Sequence, residues 1–281
     1  MLKRTITGAC YVAIIVGFFL LRQWVDVRLM NLLNWFFIAV GTFEVARMLK
    51  PFALKGTFTT SIVFGVVFAP LYCIIEYFVL EGLGVLFAIG LISLMVISFS
   101  IYALFNKCSE KKFLVSILPF LYPALLLLTS LLANDMAKHG FIAMLLIFVI
   151  APCADTMAYL VGMLYNKIRK GKAKKLCPKL SPKKTVAGAI GGLIGGALGA
   201  LIIYFIVDPK IDLSWAWLLF VIIGFVGALL TEIGDLFESF IKRKSGVKDS
   251  GKIMPGHGGI LDRVDGMMFS SVFIYLVFLM I

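Results

Sequence analysis

The chain consists mainly of apolar runs about 20 residues long, separated by shorter polar segments. A helix needs about 20 mostly apolar residues to cross the hydrocarbon core of a bilayer. The runs are continuous and do not alternate between apolar and polar residues, which excludes a β-barrel. The sequence therefore predicts an all-α, polytopic membrane protein with about nine transmembrane helices. The predicted spans are 6–22, 29–46, 58–80, 83–105, 113–133, 141–164, 187–207, 213–238 and 266–281.

Composition excludes the main soluble classes. Of the 281 residues, 61% are hydrophobic and 15% are charged, whereas an average soluble chain has about 25% charged residues. The five cysteines show no paired spacing, so we interpret them as packing residues without a redox or zinc role. These values exclude disorder, a disulfide scaffold and an ordinary soluble enzyme.

The basic residues fall mostly on one side of the predicted spans. Of 27 Lys and Arg residues, 23 lie in the N-terminal segment and the second, fourth, sixth and eighth loops. The positive-inside rule then predicts a cytosolic N-terminus and a C-terminus outside. Loops 165–186 and 239–265 together carry 15 of these cations. Such a surface either attracts anionic headgroups or binds a phosphate-rich ligand, and charge alone leaves both interpretations open.

Ionisable residues inside spans mark function by default, because charge in a bilayer is costly. The segment TEIGDLFESFIKRK, residues 231–244, places Glu232, Asp235, Ser239 and Lys242 on one helical stripe. Carboxylate oxygens in such a row suit a hard cation such as Mg²⁺. The alternative is an internal ion-pair row, with Glu238 and Lys242 at i, i+4.

The other acidic residues inside the predicted spans indicate a function less specifically. Glu44 and Glu76 are isolated in their spans, and we expect a structural role for each. Asp155 and Tyr159 lie on one helix face. They indicate either a functional pair or a helix contact with the tyrosine in the interfacial belt.

Two cytosolic loops carry residues suited to phosphate chemistry. Residues 239–266 contain three aspartates, six cations, one histidine and a PGHGG segment that cannot be regular helix. Carboxylates beside cations and exposed backbone N–H groups suit metal-assisted phosphoryl or nucleotidyl transfer. SPKKT at 181–185 stands before a helix start, where anions are favoured. The glycines that follow, from Gly188 to Gly199, indicate close helix packing and not a nucleotide loop.

Residues 239–265 resemble the signature of the phosphatidate cytidylyltransferases, also called CDP-diacylglycerol synthases. That signature reads S-x-x-K-R, four residues, K-D, a small residue, P-x-H-G-G and D-R-x-D. The matching positions are Ser239, Lys242, Arg243, Lys248, Asp249, Gly251, Pro255, His257, Gly258, Gly259, Asp262, Arg263 and Asp265. Asp155–Tyr159, the SPKKT segment and Gly234–Leu236 resemble further motifs of the family. The close motifs cover about the last 130 residues.

The resemblance implies a reaction and a metal site. CTP and phosphatidate would give CDP-diacylglycerol and pyrophosphate for phospholipid synthesis. Asp235 and Asp262 would hold Mg²⁺, with a second cation left open, whereas the residues alone do not choose among Asp249, Asp262 and Asp265 as the partner of Asp235. Lys242 and Asp249 would complete the catalytic set.

The resemblance also implies a substrate-binding set and partners. The binding residues would be Asp155, Tyr159, Ser181, Lys183, Lys184, Thr185, Ser239, Arg243, Lys248, His257, Gly258, Gly259, Arg263 and Asp265. We expect CTP, phosphatidate and the lipid bilayer as partners, a homodimer as the family suggests, and no nucleic acid. The expected location is a bacterial inner membrane, with the active site facing the cytosol.

We divide the chain into residues 1–135, with about five helices, and a catalytic region, 136–281. Three alternative functions are a transporter or channel, a cytidylyltransferase acting on another lipid phosphate, and a scaffold with a decayed site. The first is disfavoured because the acids cluster at one mouth of the spans and no inverted repeat is visible. The scaffold is disfavoured because every signature carboxylate is present.

Overall fold

The computed structural model describes residues 2–80, 82–209, 211, 213–256 and 258–281, with side chains from residue 5 onward. Nine helices lie within these residues. They are α1 Leu2–Trp24, α2 Leu29–Leu49, α3 Thr57–Val79, α4 Leu83–Phe105, α5 Glu110–Asp135, α6 Gly140–Ile168, α7 Val186–Val207, α8 Ala216–Lys244 and α9 Leu261–Leu279.

Eight helices, α1 to α8, contain stretches long and apolar enough to cross a membrane. The structure thus confirms an all-α polytopic membrane protein. The ninth predicted span, 266–281, falls in α9. This helix begins with charged residues, among them Asp262 and Asp265, and it is not one of the eight. The orientation of the termini stays a prediction.

Helix α8 is longer than its predicted span, which ended at residue 238. It continues to Lys244, so the first six residues of the predicted loop 239–265 are helical. Three basic residues in its last turn favour this extension, because they complement the negative end of the helix dipole. The chain then leaves the helix through Gly246, whose φ of 73° is left-handed.

Helices α3 and α5 each contain a π-helical segment. In α3 it covers Ile75–Val79 at the C-terminal end. In α5 it covers Phe120–Leu125, between two α-helical halves. Pro119 and Pro123 lie at this second segment. Because proline has no N–H to donate, it breaks the regular i→i−4 ladder and favours such a bulge.

A small antiparallel hairpin, which was not predicted from the sequence, lies in the loop before α7. Strand β1, Lys175–Cys177, pairs with strand β2, Ser181–Thr185. The SPKKT motif is therefore a strand. Within this strand Lys183 is exposed, whereas Lys184 is half-buried and pairs with Asp235.

Contacts divide the chain into two compact units, each built from two segments. One unit contains Met1–Asp135 and Ser245–Arg263, and the other contains Met136–Lys244 and Val264–Ile281. In the first unit, α3 and α5 share an aromatic core in which Phe64 packs on Phe120 with ring centroids 5.1 Å apart.

In the second unit, the glycines of α7 pack closely against α6 and α8. A Cβ added at Gly191 would lie 2.6 Å from the Cβ of Val161 on α6. A Cβ at Gly196 would lie 2.5 Å from the Cβ of Ala228 on α8. Both distances are too short for a real side chain, so the prediction of close helix packing through small residues is confirmed. These glycines therefore lie against helices of the same chain.

Candidate active site

Three carboxylates converge where α8 and α9 meet in the second unit. Asp235, Glu238 and Asp265 each offer a carboxylate oxygen, and these oxygens lie within 4.8 Å of one another. Gly234 permits this approach, because a Cβ there would lie only 2.5 Å from the backbone oxygen of Asp265. Hard oxygen ligands at this spacing suit a divalent cation.

A lysine from the hairpin pairs with the acidic cluster. Lys184 Nζ lies 2.6 Å from Asp235 Oδ2, and the two side chains are 25% and 31% exposed. Ser239 Oγ donates to the other oxygen of Asp235 at 3.3 Å. The structure thus brings together three predicted site residues, two from α8 and one from β2.

The Lys184 ammonium is held in its charged form by the carboxylates around it. Burial alone lowers its pKa, but Asp235 raises it most strongly, and Asp155 and Glu232 raise it further. The net result is a pKa above the ordinary value for lysine. A lysine that keeps its charge can bind a phosphate oxygen.

The ion pair predicted as the alternative to a metal row is also present. Lys242 Nζ donates to Glu238 Oε2 one helical turn away. Glu238 is therefore both a partner of Lys242 and a member of the carboxylate cluster. Glu232, one turn before Asp235, has a buried Oε1 without a hydrogen-bond partner, and α7 approaches it through Gly192. The two interpretations of the acidic stripe are compatible.

In the first unit, Asp262 organises the glycine-rich segment. Its Oδ2 accepts hydrogen bonds from the Gly259 N–H at 2.7 Å and from the Ser250 N–H at 3.1 Å. Met254 and Gly258 exchange backbone hydrogen bonds of 3.0 and 3.1 Å. Gly258 has a φ of 90°, which only glycine adopts readily. The described part of PGHGG is non-helical, as predicted, and His257 lies outside the described residues.

The remaining predicted binding residues lie mostly at the surface. Tyr159 is 67% exposed. Thr185 is buried instead, and its hydroxyl accepts the Gly188 N–H at 3.0 Å as the N-cap of α7. Ser181 is half-buried on β2. The exposed group consists of Asp155, Lys183, Arg243, Lys248, Asp249 and Arg263.

A structural role was expected for Glu44, but its contact with the signature segment was not predicted. Glu44 of α2 is fully buried, and its oxygens accept hydrogen bonds from the N–H groups of Ile260 and Leu261. The only sequence signal was an isolated acid in an apolar span. Its partners are more than 200 residues away, and local periodicity does not reveal such a contact.

Apolar helices with an acidic cluster and a paired lysine are typical of a membrane enzyme that handles phosphate groups. A model described as the cytidylyltransferase family matches residues 2–281, and the chain belongs to this family.

Curated relatives agree with this membership. The chain is 34% identical to a phosphatidate cytidylyltransferase of Helicobacter pylori over 234 residues, which cover 83% of this chain and 76% of the relative. It is 42% identical to one of Staphylococcus haemolyticus over 132 residues, 47% of each chain. It is 57% identical to one of Thermotoga maritima over 51 residues, 18% of this chain and 19% of the relative. The predicted family is thereby confirmed.

Proposed function

We propose that this chain transfers CMP from CTP to phosphatidate within the membrane, forming CDP-diacylglycerol and pyrophosphate for phospholipid synthesis. The observation that carries the proposal is that Lys184 pairs with Asp235, one of three converging carboxylates, in a chain of the cytidylyltransferase family. The names of the relatives support phosphatidate as the lipid substrate.

The reaction balances without a covalent enzyme intermediate. An oxygen of the phosphatidate phosphate attacks the α-phosphorus of CTP in line. A new P–O bond forms, and the bond from the α-phosphorus to the oxygen that bridges to the β-phosphorus breaks. Pyrophosphate leaves with that electron pair. Because the phosphate is already anionic at pH 7, the site needs positioning and charge neutralisation more than a strong base.

The carboxylate cluster fits a divalent cation, because it offers only oxygen ligands. We propose that Asp235 and Asp262 hold Mg²⁺, as the resemblance implies, and that Glu238 and Asp265, which lie in one cluster with Asp235, offer further oxygen ligands. A second cation remains part of this proposal. When bound, a divalent ion neutralises the charge of the transferring phosphoryl group.

The chain's own residues would then bind and orient the two substrates. Lys184 would contact a phosphate oxygen, and Lys242 and Asp249 would complete the catalytic set. The exposed cations Arg243, Lys248 and Arg263 would hold the triphosphate or the lipid phosphate. Lys183, Ser181 and Thr185 would support the same anions from β2, with Ser239, Asp155, Tyr159, His257, Gly258 and Gly259 completing the binding set.

We further propose a location and an assembly. The distribution of cations supports an inner-membrane enzyme whose active site faces the cytosol. A homodimer remains a proposal from the family resemblance. Chemical crosslinking in native membranes and the mass of the detergent-solubilised particle would test it.

The test is a transfer assay with the full chain in detergent micelles. Labelled CTP, Mg²⁺ and phosphatidate should yield labelled CDP-diacylglycerol and pyrophosphate in equal amounts. Asp235→Asn and Asp262→Asn should each abolish turnover, whereas Glu110→Gln, at an exposed position at the start of α5, should not. Full activity of either aspartate variant contradicts the metal assignment. Turnover of an isoprenoid phosphate with phosphatidate inert contradicts the lipid assignment.

A further inference from the structure

A buried carboxylate of the N-terminal helices contacts the segment that carries the signature. Glu44 lies in the second half of α2 and is 0% exposed. Its partners, Ser250, Ile260 and Leu261, lie 206 to 217 residues further along the chain. All of them belong to the same compact unit.

The Glu44 carboxylate accepts three hydrogen bonds. Oε2 accepts from the Leu261 N–H at 2.9 Å and the Ser250 hydroxyl at 3.0 Å, and Oε1 accepts from the Ile260 N–H at 3.3 Å. Leu261 is the first residue of α9. The N-terminus of a helix offers unsatisfied N–H groups and a positive dipole end, so a carboxylate here stabilises the start of α9.

The backbone at Gly251 and Gly259 lies so close to the Glu44 carboxylate that no side chain fits between them. A Cβ added at Gly251 or Gly259 would overlap the Glu44 carboxyl group. Arg47, one turn later on α2, donates to the Ser250 carbonyl at 2.5 Å. Helix α2 therefore holds both ends of the segment that runs from Ser250 to Leu261.

The same segment holds Asp262. The Ser250 hydroxyl lies 3.0 Å from an oxygen of Glu44 and 3.0 Å from Oδ2 of Asp262, and it can donate its single proton to only one of them at a time. Asp262 also accepts from the N–H groups of Ser250 and Gly259. The position of Asp262 thus depends on a segment that Glu44 fixes.

We infer that Glu44 is a positioning residue for the transfer reaction, which fixes the Ser250–Leu261 segment from α2 and thereby orients Asp262. This inference rests on the proposed function. Glu44 itself need not touch substrate. Its two oxygens hold the backbone from which the Asp262 side chain extends, in the way that supporting hydrogen bonds orient metal ligands elsewhere.

The variant Glu44→Gln keeps the size of the side chain and replaces one acceptor oxygen with an NH₂ donor. The new NH₂ group then faces the N–H of Ile260 or of Leu261, and two donors cannot form a hydrogen bond. The contact between α2 and the start of α9 is therefore weaker. We expect kcat to fall by about ten- to a hundredfold, with a change of less than about threefold in the KM for CTP. The apparent Kd for Mn²⁺, titrated alone by electron paramagnetic resonance, should rise by about tenfold.

The chain contains a matched control. Glu76 accepts the N–H groups of Gly82 at 2.8 Å and Gly84 at 3.0 Å, at the start of α4. It is therefore another carboxylate of the same unit that binds the beginning of a helix. Glu76→Gln should also lower thermal stability, though less than Glu44→Gln because Glu76 is only half-buried, while leaving kcat and Mn²⁺ affinity within about twofold of wild type.

Hydrogen exchange gives a readout that does not depend on turnover. In Glu44→Gln the amides of residues 259–261 should exchange at least about tenfold faster, and in Glu76→Gln they should not change. If wild type fails to transfer CMP to phosphatidate, the proposed function is wrong, but Mn²⁺ affinity and exchange still decide the role of Glu44.

Two results would overturn the inference. One is a folded Glu44→Gln protein with kcat and Mn²⁺ affinity within about twofold of wild type. The other is an equal loss of kcat in Glu44→Gln and Glu76→Gln, which indicates a general loss of stability. If Glu44→Gln does not fold, Ser250→Ala removes the shared hydroxyl from the loop side and should raise the Kd for Mn²⁺, and an unchanged value contradicts the inference.

Discussion

Replacing Lys184 with methionine tests whether the hairpin contributes a specific cation to the site. The Lys184–Asp235 pair spans 2.6 Å, which corresponds to about 6 kcal/mol of Coulomb attraction at an effective dielectric constant near 20. Loss of hydration offsets most of this, and both groups keep a quarter to a third of their exposure. Exposed pairs contribute up to about 1 kcal/mol, and breaking a buried pair costs about 3–5 kcal/mol. We therefore expect Lys184→Met to lower stability by about 2 kcal/mol.

The corresponding change in melting temperature is a fall of about 4–8 °C. If Lys184 also stabilises charge on the transferring phosphoryl group, kcat should fall by about 10²-fold, equal to about 2.7 kcal/mol. Differential scanning fluorimetry and the CTP-dependent transfer assay measure the two effects. Lys184→Arg keeps the charge and should recover most of the stability.

Lys183 is the matched control, because it is the neighbouring lysine on β2 and points to the exposed side. Lys183→Met should shift the melting temperature by less than about 2 °C and lower kcat/KM by less than about tenfold. Equal losses in the two methionine variants would refute the idea that the pair with Asp235 gives Lys184 a specific role. The same holds for a greater loss in the Lys183 variant.

Three further outcomes are expected. Thr185→Ala removes the N-cap that binds the Gly188 N–H and should cost about 1 kcal/mol, which Thr185→Ser should largely restore in thermal unfolding. Gly258→Ala forces a left-handed φ of 90° on a side chain and should lower activity at least about tenfold, whereas Gly17→Ala, with nothing within 4 Å, should not. Neighbouring carboxylates raise the pKa of Lys184 despite its burial. The stability that charged Lys184 gives the folded protein should therefore be fully present below a pH of about 10.4 and should be lost as pH rises through the higher folded-state pKa. Lys184→Arg should remove this loss from melting curves recorded between pH 8 and 11.

The membrane helices were predictable because spanning imposes a length and an apolar composition on each segment. The row of Asp235 and Glu238 was predictable for a related reason, since 3.6 residues per turn place them on adjoining positions of one helix. The pairing of Glu238 with Lys242 also follows from local spacing, and the structure shows it. Local sequence features thus predicted most of the helices and the part of the candidate site that lies on α8.

Contacts between distant segments were not predictable in the same way. The two lysines of the SPKKT motif look equivalent in the sequence. Their different exposure arises in the hairpin, which depends on pairing between β1 and β2. The contact between Glu44 and the segment before Asp262 spans more than 200 residues, and no periodic signal links its ends. The extension of α8 to Lys244 was missed because a count of apolar residues stops where the charged last turn begins.

The first unit is built from two segments that are far apart in the sequence, and this affects the order in which its parts are synthesised. Its first five helices emerge from the ribosome long before residues 245–263, which complete that unit. The carboxylate of Glu44 therefore enters the membrane without the backbone groups that bind it in the finished protein. The first unit matures only after α6, α7 and α8 have been synthesised, so a nascent chain stopped at residue 244 lacks the segment that closes it. The second unit is likewise incomplete at residue 244, because it includes Val264–Ile281.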